Sequence, residues 1–296
     1  MRGWWQDLTD LVLPAECGGC GRPRMVLCPE CRTALSGAAP RRVRPVPEPP
    51  GLPVVHAAAR YADEVRAALL AHKERGALAL AAPLGVALAG AVRAGLQAPS
   101  GPDGRAMPVL LVPVPSARRA VRARGHDPAR RIALAAAAEL RRTGTPARVL
   151  AVLRQRRAVV DQSGLNSRQR LDNLAGALMV APGGERLLGG GSVALVDDLM
   201  TTGASLAEAA RAVREVASGA RTGADGAVRP VGRGEGANAV CGAATREDRG
   251  EGRTGVTAEA VRMHGVPGMA GGIRAGDVAC AAVVAAPPDA FAINRN

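Results

Sequence analysis

The residues with the most chemical content lie in one run, Val193-Ala-Leu-Val-Asp-Asp-Leu-Met-Thr-Thr-Gly-Ala-Ser205. An apolar, strand-like stretch leads to two adjacent acids, then to a loop of small and hydroxylic residues that enters a helix. Backbone N–H groups of such a loop converge on one point and are backed by the positive end of the helix dipole, an arrangement that holds a phosphate. Thr201, Thr202, Gly203, Ala204 and Ser205 form the expected cradle. Asp197 and Asp198, at the carboxyl end of the strand, then lie beside that phosphate, where carboxylates accept hydrogen bonds from sugar hydroxyls. A phosphate with a neighbouring diol describes a ribose 5-phosphate group. The competing reading, an acidic pair with Thr and Ser as ordinary helix caps, explains one or two of these residues but not the whole run.

A second chemical cluster is Cys17-Gly-Gly-Cys20 and Cys28-Pro-Glu-Cys31, with seven residues between the pairs. Each C-x2-C turn points two sulfurs at one place, and two turns complete the tetrahedral soft-ligand set that zinc prefers. Disulfides are the alternative, but a cytoplasmic chain keeps its thiols reduced and clustered C-x2-C pairs are poor disulfide geometry. Four thiolates leave no open coordination position, so the expected role of Cys17, Cys20, Cys28 and Cys31 is structural. Cys280 reads as a small core residue, and Cys241 has no ligand spacing near it.

The chain has 296 residues and a formal net charge of +13. Arg118 to Arg170 alone holds 14 arginines against Asp127, Glu139 and Asp161. Such a stretch suits phosphorylated small molecules, nucleic acid or a plain solvated surface. Aromatic residues are confined to Trp4, Trp5, Tyr61 and Phe291, which argues against stacking platforms for single strands. Asp7 and Asp10 near the N-terminus and an Ala-rich longest uncharged run, Gly76 to Val92 with Pro83 inside it, predict a cytoplasmic protein without membrane insertion.

The elements that must position these clusters follow an alternating pattern. Val54 to Tyr61 reads as a strand and Asp63 to His72 as a helix; Val109 to Val114 is a strand, followed by a helix from Pro128 to Arg142. Val193 to Val196 and Ser205 to Val216 repeat the unit, and Cys280 to Ala285 has buried-strand composition. The expected fold is α/β, a Rossmann-like parallel sheet wrapped by helices and preceded by a small zinc ribbon. The divisions are a ribbon over 1–35, a Pro/Arg-rich linker over 36–53, the sheet domain over 54–218, a Gly-rich flexible insertion over 219–277, and a last strand with a tail over 278–296.

Ala194 to Ser205 resembles the signature of the type I phosphoribosyltransferases: apolar residues, two acids, two variable residues, Thr-Thr-Gly and a hydroxyl residue. Three further stretches resemble the competence protein F (ComF) family, in which a four-cysteine zinc ribbon precedes a phosphoribosyltransferase-like domain. They are the cysteine block, Tyr61 to Lys73, and Val112-Pro-Val-Pro115 with Arg118, Arg122, Arg124 and Gly125. Asp161-Gln162, Leu165, Arg170, Asn173 and Gly176 add a fourth, and together these cover most of residues 15 to 217. The sequence departs from the pattern at His126, Asp127 and Pro128, and in the 219–277 insertion.

The resemblance implies a type I phosphoribosyltransferase fold that binds phosphoribosyl pyrophosphate with magnesium. Asp197 and Asp198 would take the ribose hydroxyls and Thr201 to Ser205 the 5-phosphate. The loop Val114, Pro115, Ser116 and Ala117, with Arg118 and Arg122, would take the pyrophosphate. The implied activity is transfer of the phosphoribosyl group to an unknown acceptor. The alternatives are a sensor of the same ligand, or a binding module for single-stranded DNA or the DNA-uptake machinery, to which the family name points.

Overall fold

The structure, a computed structural model, describes residues 16–96, 107–157, 167–225 and 277–292. The chain opens with helix α1 (Pro29–Ser36), strands β1 (Arg41–Val43) and β2 (Val55–Arg60), and helix α2 (Asp63–Glu74). A 3-10 turn at Leu78–Leu80 leads to α3 (Ala81–Gly95), β3 (Val109–Pro113), α4 (Arg118–Arg124), α5 (Pro128–Arg142) and β4 (Ala147–Val149). There follow β5 (Leu153–Gln155), α6 (Ser167–Leu174), β6 (Leu178–Val180), α7 (Gly184–Leu188), β7 (Ser192–Leu199), α8 (Ala204–Asp225) and β8 (Val278–Ala286).

Six strands form one sheet in the order β1-β2-β8-β7-β3-β4, and β5 pairs with β6 separately. Within the six-stranded sheet β1 runs antiparallel to β2, while β2, β8, β7, β3 and β4 are mutually parallel; β5 and β6 pair antiparallel. Side chains alternate between faces along a strand, and here both faces are covered, so the central strands read as continuous apolar runs. Ala194 and Val196 of β7, with Cys280, Ala282 and Val284 of β8, join the layer of α2, α3 and α5. Val193, Leu195, Ala281 and Val283 join the layer of α8. Alanine lines much of both helices where α3 and α5 lie over the sheet: Ala87, Ala91, Ala133 and Ala136 are all buried.

By length and composition Leu78–Gly95 is apolar enough to cross a membrane. Half of it is buried, and its α3 portion contributes Leu84, Leu88 and Val92 to the sheet's core.

Two regions differ from the sequence expectation. The Pro/Arg-rich stretch expected as a linker holds β1, whose register Arg41↔Ala57 to Val43↔Val55 makes it the antiparallel edge of the sheet. An edge strand needs only one partner, so prolines flanking it cost no ladder bonds. The cysteine block packs on the sheet domain: Cys17, Leu27, Cys28, Cys31 and Leu35 share one buried cluster with Leu69, Leu84 and Leu88. Helix α8 runs on to Asp225, past the expected limit of the sheet domain. The rest of the Gly-rich insertion, residues 226–276, lies outside the described residues, as do Trp4 and Trp5. β8 enters the middle of the sheet, between β2 and β7.

Candidate functional site

The thiol cluster is built locally. A turn returns the Gly21 N–H to the Cys17 carbonyl at 2.9 Å, and Cys28 caps α1, its sulfur accepting from the Cys31 N–H at 3.4 Å. Gly19 is required by close approach, since a Cβ there would stand 2.7 Å from the Cys31 sulfur. The four sulfurs lie within 4.8 Å of one another, with Cys20 and Cys28 3.6 Å apart. A tetrahedral zinc site with its usual bond length needs sulfurs about 3.8 Å apart. Burial opposes the Cys17 thiolate, yet the backbone N–H groups of Cys20, Cys28 and Gly19 outweigh it and bring the pKa down to about 6. Burial and the neighbouring sulfurs push Cys31 well up. Such crowding lets all four ionise only around a cation, and the donor set fits zinc. The four cysteines can therefore hold a structural zinc ion.

The second site sits at the carboxyl edge of the sheet. β3 is flanked by β4 on one side and β7 on the other, so the chain reverses its direction of travel across the sheet at β3 and β7. In open α/β sheets ligands bind outside the carboxyl ends of the strands at such a reversal. Pro113 pairs with Val196, and the Val114 N–H donates to the Val196 carbonyl at 2.9 Å. The Val114–Ala117 loop therefore leaves the sheet alongside Asp197 and Asp198. Asp127 secures that loop: it caps α5 by accepting from the Arg130 N–H at 3.2 Å and receives the Ser116 N–H at 3.4 Å.

After β7 the chain turns through Thr201 and Thr202 into α8. Gly203 has φ +75°, and a Cβ on it would stand 3.1 Å from Leu52, so the turn favours glycine on both counts. Ala204 is buried, Thr202 and Ser205 are half-buried, and Thr201 is exposed. Arg170 of α6 reaches this loop from the far side, its Nη1 3.4 Å from Thr201 Oγ1, while its Nε is buried without a hydrogen-bond partner.

The acid pair is asymmetric. Asp198 is buried and its Oδ2 lies 3.1 Å from Lys73 Nζ at the end of α2. Asp197 accepts the Asp198 N–H at 2.8 Å. Burial, reinforced by the Asp198 charge, holds the Asp197 carboxyl well above the usual carboxylate range, and Lys73 only partly offsets this. The Asp198 charge in turn raises the Lys73 pKa against the effect of burial.

The last turn of α2 ties the two loops together. Lys73 holds the β7 end, while Arg124, at the end of α4, makes two 3.0 Å bonds to Glu74. His126 is half-buried and turned toward α2. Its ring nitrogens lie 3.2 Å from the Arg124 and His72 carbonyl oxygens, and its ring packs edge-on against His72 with centroids 5.6 Å apart. Arg118 and Arg122 are exposed on α4 and make no ion pair among the described residues. The cation in contact with the acid pair is Lys73. Its signals in the sequence are that it is the one lysine among 39 basic residues and that it ends the Tyr61 to Lys73 stretch, and neither places it beside the acids. Asp161, Gln162 and Leu165 lie outside the described residues.

No family model matches the chain, and a search of curated proteins finds no match either.

Proposed function

We propose that the chain is a ComF-like protein of the type I phosphoribosyltransferase fold, which binds phosphoribosyl pyrophosphate and transfers its phosphoribosyl group to an acceptor nucleophile. The observation that carries this reading is the meeting of Asp197-Asp198, the Thr201–Ser205 turn and the Val114–Ala117 loop at the sheet's point of reversal. In this reading Asp197 and Asp198 accept from the ribose hydroxyls, and the turn entering α8, with Arg170 beside it, holds the 5-phosphate. The Val114–Ala117 loop faces the pyrophosphate. The bond from ribose C1 to pyrophosphate oxygen breaks, its electron pair leaves with the pyrophosphate, and the acceptor forms the new bond to C1 and loses its proton. Asp197 and Asp198 offer carboxylate oxygens that would suit magnesium, which would supply charge stabilisation to the leaving pyrophosphate.

A second reading, a module that binds single-stranded DNA, is favoured by α4, which buries none of its residues and exposes Arg118, Arg119 and Arg122.

Calorimetric titration of the zinc-loaded protein with phosphoribosyl pyrophosphate, with and without magnesium, tests the first reading. Magnesium-dependent binding is expected, with a loss of at least about a hundredfold in a folded Asp197→Asn, Asp198→Asn double variant. Affinity retained in that variant, or no binding by the wild type, overturns it. In the latter case, salt-sensitive oligonucleotide binding would move the assignment to the second reading.

A further inference from the structure

We propose that Lys73 is an exchangeable counter-ion: its ammonium pairs with Asp198, gives way there to a divalent cation, and is taken up by the ligand's diphosphate. This inference rests on the sugar-phosphate reading and adds to it a residue and an order of events.

The geometry sets up the conflict. Asp198 is the more enclosed of the two acids, its side chain 9% exposed, and the oxygen that a cation would seek is already held by Lys73 at 3.1 Å. Its neighbour's carboxyl accepts the Asp198 N–H, so one oxygen of each acid is already engaged. A divalent cation cannot join this pair while the ammonium keeps its place without bringing like charges together in a partly buried site. Either the acids do not meet a metal at all, or Lys73 moves.

Lys73 is suited to moving. Its side chain is 35% exposed, so it has a path to solvent, and it sits on the last turn of a helix rather than in its middle. An ammonium is a compact point charge on a flexible four-carbon stem, whereas a guanidinium binds a carboxylate through a rigid fork. In a chain whose other basic residues are all arginine, this position carries lysine. The same turn is joined to the α4–α5 connection through Arg124 and His126, just beyond the Val114–Ala117 loop, so a released ammonium remains between the two loops. Cation and diphosphate would then help each other bind: the cation frees Lys73, and the diphosphate stabilises the freed state. Reciprocal coupling of this kind is typically fivefold to about a hundredfold.

Being the one lysine, Lys73 can be followed in the unmodified protein by its rate of acylation with an N-hydroxysuccinimidyl acetate, read by mass spectrometry on the Lys73 peptide. The rate is expected to rise about tenfold with magnesium alone and to fall again when inorganic pyrophosphate is added. In parallel, Lys73→Gln, with folding checked by circular dichroism, is expected to bind manganese ion about tenfold more tightly and magnesium pyrophosphate about tenfold more weakly. Opposite signs in one variant are what a merely structural lysine would not produce. An acylation rate indifferent to both additions, or a folded variant in which both affinities move together or neither moves, overturns the inference. Failure of the wild type to bind ribose 5-phosphate would instead remove the sugar-phosphate reading, and the manganese and acylation results would still decide whether Lys73 exchanges.

Discussion

The thiol cluster and the acid pair are both groups of like ligands held close together, yet they are built on opposite principles. The cluster takes all its donors from fifteen residues of sequence and keeps Cys17, Cys28 and Cys31 buried. It is closed, and a single cation would satisfy it. The carboxyl-edge site gathers Lys73, Val114–Ala117, Arg170 and Asp197–Ser205 from separate elements, and it leaves Thr201 exposed and the Arg170 Nε without a partner. One region is arranged to be complete and the other to be completed. A site of the second kind carries local costs that the rest of the fold supports.

The largest effect should come from opening the closed site. Cys28 is at once a sulfur donor, the cap of α1 and a core residue beside Cys31 and Leu35; Cys28→Ser keeps the cap but removes the sulfur donor and places a hydroxyl in the core. The purified chain is expected to carry one zinc per molecule, and the variant close to none. Because the cluster shares a core with Leu84 and Leu88, its melting temperature should fall by about 10 °C or more. A wild type that lacks zinc, or a variant that melts with it, would mean that the cluster is a set of free thiols and that the contrast with the acid pair disappears.

The next effect separates the two acids from each other. Asp198→Asn leaves Lys73 facing a neutral amide in a partly buried site, which should cost about 1–2 kcal/mol after allowance for the lysine's exposure, or about 2–6 °C. Asp197→Asn should act in the other direction. With its folded pKa raised, Asp197 makes the native chain bind more protons than the unfolded one. Stability then falls as pH climbs from the ordinary Asp range, about 3.9, toward the folded value. Asparagine removes that cost, so the variant should melt about 2 °C higher than wild type at pH 7 and show no gain below pH 3. Thermal melts of both variants at the two pH values decide it. Two destabilised variants would place the acids in one structural unit and remove the idea of a strained functional pair.

What could be read in advance follows the same division. Cys17 to Cys31 and Asp197 to Ser205 are contiguous, and their spacing alone states what converges. Lys73 meets Asp198 only because α2 lies over a sheet in which β8, the last strand of the chain, is inserted beside β2; strand order is not encoded in any local pattern. His126 stands among arginines in the sequence, yet its decisive partner, the His72 carbonyl, is 54 residues away. β1 was hidden by composition: Arg41–Val43 is short and flanked by prolines, and an edge strand with one partner needs no alternating pattern. The alternation of strand and helix was legible because burial on both faces of a parallel sheet writes continuous apolar runs into the sequence.

The smallest predicted effect concerns the outer fastening of the α2 turn. The turn's ties to β7 and to the α4–α5 connection include Lys73 on Asp198, His126 on the His72 carbonyl, and Arg124 on Glu74. The last has good two-bond geometry but stays partly open to water, with Glu74 47% and Arg124 21% exposed, and solvent-accessible ion pairs contribute about 0–1 kcal/mol and are screened by salt. Arg124→Gln should therefore lower the melting temperature by less than about 2 °C, and the difference should vanish in 0.5 M sodium chloride, a concentration at which the screening length is only about 4–5 Å. The Lys73–Asp198 pair should then keep Lys73 in place, so its acylation rate without added ligand should match that of wild type. If the exposed pair instead proves the stronger support, with a fall of more than about 4 °C that survives salt, then the turn is clamped from α4 rather than from the acid pair. A lysine held from outside would not need Asp198 to stay in position, and its exchange for a cation would leave the rest of the site unmoved.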